Sequence, residues 1–403
     1  MKTNRVALSC IIFSVVVALA PASTGQAANK YKVLHYFKNS PASSPREALV
    51  SDAAGNLYGT TVLSSRDHCQ GGCGVVFRLK RKANGKFHYS IVHHFAGSPD
   101  GEQPWGNLIL DSSGNLYGTT SVGGAYGYGT VFECSPHGSN WLEKILYSFG
   151  PPSDLSDPFA GLVFDAKGNL FGTAGFGGTS GWGGVFELQP SSEGWKEKIL
   201  YSFSDGTDGG YPNGDVVLDA AGNIYSTAYQ GGTDGVGLVF QLSPSPDGTW
   251  AETVLYNFTG GNDGSNPTSG LIFDAAGDLY GTAPDGGNGN GTAFELVPSM
   301  GTWRFSVLHG FVKSDGSGPV GGLTFDSSGN LYGTTRYGGS NDLGVLFKLA
   351  PSASNWTATV LQSFNGKNGA KPNGGVILDH DGVIYGITSE GGIGYGVVFT
   401  DKP

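Results

Sequence analysis

Charge is what this sequence has least of. Only 14% of its 403 residues are Asp, Glu, Lys or Arg, and acidic residues outnumber basic ones 33 to 23. The formal net charge is −10, and no run of Lys or Arg interrupts it. Such a surface repels phosphate backbones and anionic lipid, so nucleic acid is not an expected partner. Cysteine is scarce at 4 residues, too few for a disulfide scaffold of a chain this long. No GxSxG, no HExxH and no spaced set of metal ligands occurs. General acid–base chemistry needs paired groups with separated pKa values, and none can be picked out from the order of residues. No catalytic residue, metal or cofactor is therefore assigned.

Long apolar runs are missing too, with one exception. "VALSCIIFSVVVALA" follows Lys2 and Arg5 and precedes small residues between Ala22 and Ala28. It is shorter than the roughly 20 residues that cross a bilayer, and reads as an export signal removed near Ala22–Ala28. "ALSC" at Ala7–Cys10 lies before most of that run, so a lipid-attachment site is not the favoured reading. Residues 29–403 are then one mature domain, with no membrane span, secreted or periplasmic and monomeric. Loss of Lys2 and Arg5 takes the net charge from −10 to −12. In an oxidising compartment "CQGGC" suggests a Cys69–Cys73 disulfide, whereas His68 adds only a third ligand to a zinc reading. Cys134 stands where other units carry Leu79, Leu188 and Leu242, and is expected to be a buried hydrophobe.

Glycine, in contrast, is abundant at 69 residues without a collagen-like period, and aromatic residues reach 12%. That combination points to many short strands joined by turns. "GNLYGTT" at Gly114–Thr120 returns unchanged at Gly329–Thr335. Its second position falls at Asn56, Asn115, Asn169, Asn223, Asp278, Asn330 and Val383, seven copies spaced 52 to 59 residues apart. Each copy reads as four strands. A short apolar strand such as "GLVFD" from Gly161 meets a "DxxGN" turn, then "LYGTT". A glycine-rich loop leads to a third strand such as "GGVFEL" from Gly183. In the fourth strand, "WKEKILYSF", Trp195, Glu197, Ile199, Tyr201 and Phe203 are expected on one face, opposite Lys196, Lys198 and Ser202. No helix follows the glycines, so a phosphate-binding loop is not supported.

Seven such units describe an all-β, seven-bladed β-propeller of four-stranded antiparallel blades. The last unit stops after its third strand, while "YKVLHYF" at Tyr31–Phe37 matches a fourth strand with nothing before it. Tyr31–Phe37 is therefore expected to pair with Gly396–Thr400 and close the ring. An open solenoid, the alternative, has no need of that complementary overhang.

"GNLYGTTxxGG", "GTVFEL"-type third strands and "VLYSF"-type fourth strands resemble the GloVer tandem-repeat (choice-of-anchor) family. The resemblance covers all seven units. It implies an exported bacterial protein, many relatives carrying a C-terminal anchor or sorting segment, and no established chemistry. Pro403 follows no apolar tail, which favours a soluble form. A weaker similarity links "GLxxDxxGNLY" to NHL-type propeller repeats.

If the first strand lines the channel, loops between the second and third strands share one face with the inter-unit loops. Ligand sites favour such variable loops. They carry Tyr126, Tyr128, Phe176, Trp182, Tyr229, Asp234, Asp285, Asn288 and Asn290, then Tyr337, Asn341, Asp342, Glu390 and Tyr395. Aromatic faces beside amides and carboxylates suit an extracellular carbohydrate, peptide or protein, and packing of loop on loop is the plain alternative. The inner strands begin with small residues except at Asn107 and Asp215, which suggest a polar spot at the channel mouth or simple solvent exposure. Acidic glycine loops near Asp100, Asp208, Asp263 and Asp315 read as turns rather than calcium sites, which need 6–8 oxygen ligands. The Asp that ends each inner strand, from Asp52 to Asp379, reads as a turn residue. His35, His93 and His309 take the outer-strand place of Tyr147, Tyr201 and Tyr256. The leading expectation is non-catalytic ligand binding. A lyase or hydrolase at the channel mouth, and a structural envelope protein, stand beside it.

Overall fold

The computed structural model describes residues 31–39, 42–64, 72–151, 153–353 and 355–403. The export signal and Cys69 lie outside these residues, so the signal and the Cys69–Cys73 pairing stand as expectations. Among the described residues there is no helix, and seven antiparallel sheets are arranged as a propeller. Blade 3 typifies them: Val163–Phe164, Leu170–Ala174, Gly184–Ser191 and Gly194–Ser202 pair in that order from the channel outward.

The ring closes as the terminal strands suggest. Lys32–Tyr36 lies antiparallel to Val397–Asp401, with Lys32 opposite Thr400 and Tyr36 opposite Val397, and Phe37 N–H donates to Gly396 C=O at 3.0 Å. Packing shows that this joint is like the other six. Every boundary between blades holds a Phe–Phe contact, including Phe149–Phe186 at 5.2 Å, Phe203–Phe240 at 5.0 Å and Phe258–Phe294 at 5.4 Å. The boundary between the last and first blades holds Phe37–Phe77 at 5.2 Å, in a core with Leu57, Val75, Ile387 and Val398.

The glycine within "LYGTT" exists for these rings. A Cβ on Gly172 would lie 2.7 Å from Phe186 Cζ, and one on Gly281 would lie 2.6 Å from Phe294 Cζ. The "DxxGN" turns are equally specific. Asp219 accepts from the amides of Ala221 and Asn223, from Asn223 Nδ2 at 2.7 Å and from the Tyr225 hydroxyl at 3.0 Å. These bonds favour its anion and hold its pKa below the ordinary value against the opposing, and largest, effect of burial. Cys134 is buried and free, opposite Leu116, in the place of the usual leucine.

One expectation fails. The outer strand does not alternate throughout, because a bulge falls between the residues facing Val185 and Phe186. Leu200 occupies it, 8% exposed, and the extra residue reverses the faces beyond it. Ile199 and Trp195 pack toward blade 2, whereas Tyr201 and Phe203 pack toward blade 4. The same shift recurs in all seven blades. It lets one strand feed two interfaces.

Candidate functional site at the channel mouth

The chain enters each inner strand through a sharp backbone turn. The residue before the entry proline has a positive φ in every blade: Ser44 55°, Gln103 56°, Asp157 54°, Tyr211 51°, Asn266 54°, Gly318 64° and Lys371 49°. Six of these are not glycine, a conformation that persists only when neighbours over-determine it. Here they do. Each amide donates to the preceding blade, as Asp157 does to Tyr128 C=O, Tyr211 to Trp182 C=O and Ser44 to Tyr395 C=O. The following proline is wedged against the glycine that opens the previous third strand. A Cβ on Gly237 would lie 2.6 Å from Pro267 Cδ, and one on Gly396 2.8 Å from Pro45 Cδ. One "GTT" threonine then ties the next entry, Thr119 Oγ1 donating to Ala160 C=O at 2.8 Å and Thr334 Oγ1 to Gly374 C=O at 2.8 Å.

This rigid frame presents one side chain per blade at the mouth. The residues that follow the seven prolines are Arg46, Trp105, Phe159, Asn213, Thr268, Val320 and Asn373, and all line a single cavity of about 570 Å³. Arg336, just after its blade's "LYGTT", joins them, with Glu47, Asn107 and Asp215 among the lining residues. A frame repeated seven times thus carries nearly seven different groups.

Asn107 and Asp215 come together as a polar spot. Asn107 Nδ2 donates to Asp215 Oδ2 at 2.5 Å, and Gly161 N–H donates to Oδ1 at 2.5 Å. Ser226 replaces the glycine of "LYGTT" in blade 4, and its hydroxyl donates to the carbonyls of Gly214 at 2.9 Å and Asp215 at 3.2 Å, fixing this turn of chain. Burial raises the Asp215 pKa despite both hydrogen bonds. Burial and then the Asp215 charge push Glu47 up to about 8, against the attraction of Arg46. Burial and the like charge of Arg336 lower the Arg46 pKa, though a guanidinium remains a cation.

Six buried polar atoms of this lining have no hydrogen-bond partner among the described residues: Nε of Arg46 and Arg336, Oδ1 of Asn107, Asn213 and Asn373, and Oγ1 of Thr268. Each such group is a cost of about 1–3 kcal/mol unless something binds it. The Arg46 guanidinium stacks 4.0 Å above the Trp105 ring. From there edge-to-face contacts run outward, Trp105–Phe159 at 5.8 Å, Phe159–Phe176 at 6.4 Å, Phe176–Tyr211 at 4.9 Å and Tyr211–Trp182 at 4.9 Å. Phe176 is 40% exposed, so the row forms an accessible shelf leading to the cavity.

The other expected loop residues are dispersed. Tyr126 is 62% exposed over Gly150, and Tyr128 and Tyr395 are exposed rings whose carbonyls serve the backbone turns. Tyr229 is half-buried, its amide on Tyr211 C=O, and Tyr337 is exposed with Arg336 5.5 Å over its ring. Trp182 packs into the core between blades 3 and 4 while its edge meets Tyr211. The acidic glycine loops are wired into the blades: Asp263 accepts from Tyr256 Oη at 2.9 Å and Thr259 N–H at 2.8 Å, and Asp154 pairs likewise with Tyr147. His93 and His309 contact Asp100 and Asp315 in the same manner, each at 3.1 Å. Among the described residues, His93, Asp100 and Glu143 could each offer a metal one atom, all within 4.8 Å. Tyr147, Asp154 and Glu197 repeat that arrangement one blade on, which marks it as blade-to-blade packing.

The Gloeobacter/Verrucomicrobia repeat matches residues 15–220 and again 196–399, which together span nearly the whole chain. The protein belongs to that family. No curated protein matches it. Among solved structures, this Gloeobacter/Verrucomicrobia repeat protein is similar to the extracellular domain of a one-component system from B. thetaiotaomicron, with 12% identity and a TM-score of 0.55. The match covers 92% of the chain but only 40% of that domain. A protein described as a 6-phosphogluconolactonase from Bacteroides uniformis matches with 13% identity and a TM-score of 0.52, over 82% of this chain and 88% of that one. At such identity these likenesses speak for the fold alone.

Proposed function

We propose that this is an exported binding protein that takes an extracellular saccharide at the channel mouth, guided by the shelf from Trp182 to Trp105. One observation carries the reading: a rigid seven-fold frame presents unlike polar groups whose buried donors and acceptors have no partner among the described residues. Carbohydrate hydroxyls both donate and accept, and sugar faces stack on aromatic rings, so one ligand class answers both features. Export is supported by the apolar leader, and the extracellular domain of the first structural relative agrees with it. The test is a combined glycan and peptide array probed with the protein and two variants. Trp105→Ala should abolish glycan signal and Tyr126→Ala should keep it. Signal confined to peptides, or lost only in Tyr126→Ala, would refute the reading.

A second reading rests on Glu47 and Asp215. Both line the one cavity, and burial and then the Asp215 charge raise the Glu47 pKa, so Glu47 would serve as the acid and Asp215 as the ionised partner of a glycoside hydrolase or lyase. Release of shorter products from a bound glycan, abolished by Glu47→Gln, would support it; an unchanged glycan after prolonged incubation would dismiss it.

A further inference from the structure

We infer that the saccharide bound at the mouth is acidic, with a carboxylate seated between Arg46 and Arg336. This rests on the saccharide reading above and names its chemical class. The argument starts from the kinds of orphaned atoms. Asn107 has its amide nitrogen on Asp215, which fixes its Oδ1 as an acceptor awaiting a donor such as a hydroxyl. The Nε groups of Arg46 and Arg336 are the reverse, donors awaiting an acceptor. A ligand that satisfies both sets needs a donor at one end and an acceptor at the other, and against two guanidiniums an anionic acceptor makes the stronger hydrogen bonds. A uronate provides both in one ring.

Charge agrees. Both guanidiniums line the one cavity, and their like charges oppose one another, an arrangement that an anion relieves. Glu47 and Glu390 each attract Arg46. Glu390 is engaged by Lys371 at 3.0 Å, and Asp215 by Asn107 and the Gly161 amide. Specificity follows from the same pair, since a neutral sugar's hydroxyls could accept from the Nε donors but would bring the two guanidiniums no counter-charge.

The experiment is isothermal titration of the mature protein with trigalacturonate and with its fully methyl-esterified form, which has the same ring faces and no charge. The acid is expected to bind at least 10-fold more tightly. Arg336→Gln should bring the acid down to the level of the ester while leaving the ester unchanged. Trp105→Ala should weaken both, and unaltered melting temperatures would show that the variants fold. Equal binding of acid and ester, with loss of both in Trp105→Ala, would overturn the carboxylate and leave the saccharide reading intact. Preference for the acid that survives in Arg336→Gln would overturn the assignment of the residue pair. If neither probe binds, the uronate inference falls, and the array decides whether the mouth takes another sugar.

Discussion

The two ends of the channel obey opposite rules. At one end the inner strands finish in seven turns, five of them "DxxGN", where Asp219 and its counterparts hold the backbone by nearly the same hydrogen bonds. At the other end they are entered through Arg46, Trp105, Phe159, Asn213, Thr268, Val320 and Asn373, held on one repeated backbone. Where a side chain builds the blade, repetition keeps it. Where the frame alone builds the blade, the side chain is free to vary, and at the mouth it varies toward buried groups that fold nothing. The comparison therefore separates residues that make the propeller from residues that use it.

The largest effect should come from the joint that completes the frame. Removing the chain up to Phe37 strips blade 7 of its outer strand and empties the Phe37–Phe77 core. Calorimetry should show a greater loss than the ~3–5 kcal/mol of a single Phe→Ala change. Phe37→Ala and Phe203→Ala should themselves cost about the same, ~3–5 kcal/mol each, because the joining interface is built like the others. A much smaller cost at Phe37, measured by urea unfolding, would mean that the ring is held elsewhere.

Next comes a direct contrast of the two ends. Asp219→Ala deletes a turn carboxylate with four donors and should cost ~1–3 kcal/mol. Asn213→Ala and Thr268→Val, at the mouth, should change stability by less than about 0.5 kcal/mol or raise it slightly, since each removes a buried atom without a partner. Comparable losses at both ends would erase the distinction.

The smallest effect is one of pH. Glu143 and Glu252, raised to about 7, and Glu197, raised to about 8, are shifted first by burial and then by neighbouring aspartates. Below their ordinary value of 4.5 they are protonated whether folded or unfolded, and burial costs nothing. From there up to about pH 8 the folded state resists their ionisation, so stability falls as pH rises. Asp219, Asp263 and Asp326 act the other way, contributing above 3.8 and losing that contribution as pH falls through their lowered values. Melting temperature should peak near pH 5 and decline toward pH 8.5, with a shallower decline in Glu197→Gln.

Much of the frame could be read from residue order, because the repeat writes its rules seven times. "LYGTT", "DxxGN" and the orphan strand at Tyr31 specify blade, turn and closure. The bulge at Leu200 was hidden, since an extra apolar residue in an apolar strand leaves no mark on the alternation nearby. Of the mouth, only one pair was legible. Asn107 and Asp215 stood out as larger residues where axial crowding demands small ones, and they do meet. Arg46, Trp105 and Asn213 were missed, because nothing in Ser44, Gln103 or Tyr211 announces the left-handed turn that swings the next residue but one into the channel. A signal was nevertheless present. Between a recurring proline and a recurring small residue, a single position changes in almost every unit.

Crystallographic difference density from the mature protein soaked with trigalacturonate tests the central assignment most directly. The account predicts a sugar ring in the channel mouth beside Trp105, its carboxylate within hydrogen-bond reach of Arg46 and Arg336. Density on the outer loops around Tyr126 or Tyr395, with the mouth unchanged, would contradict it.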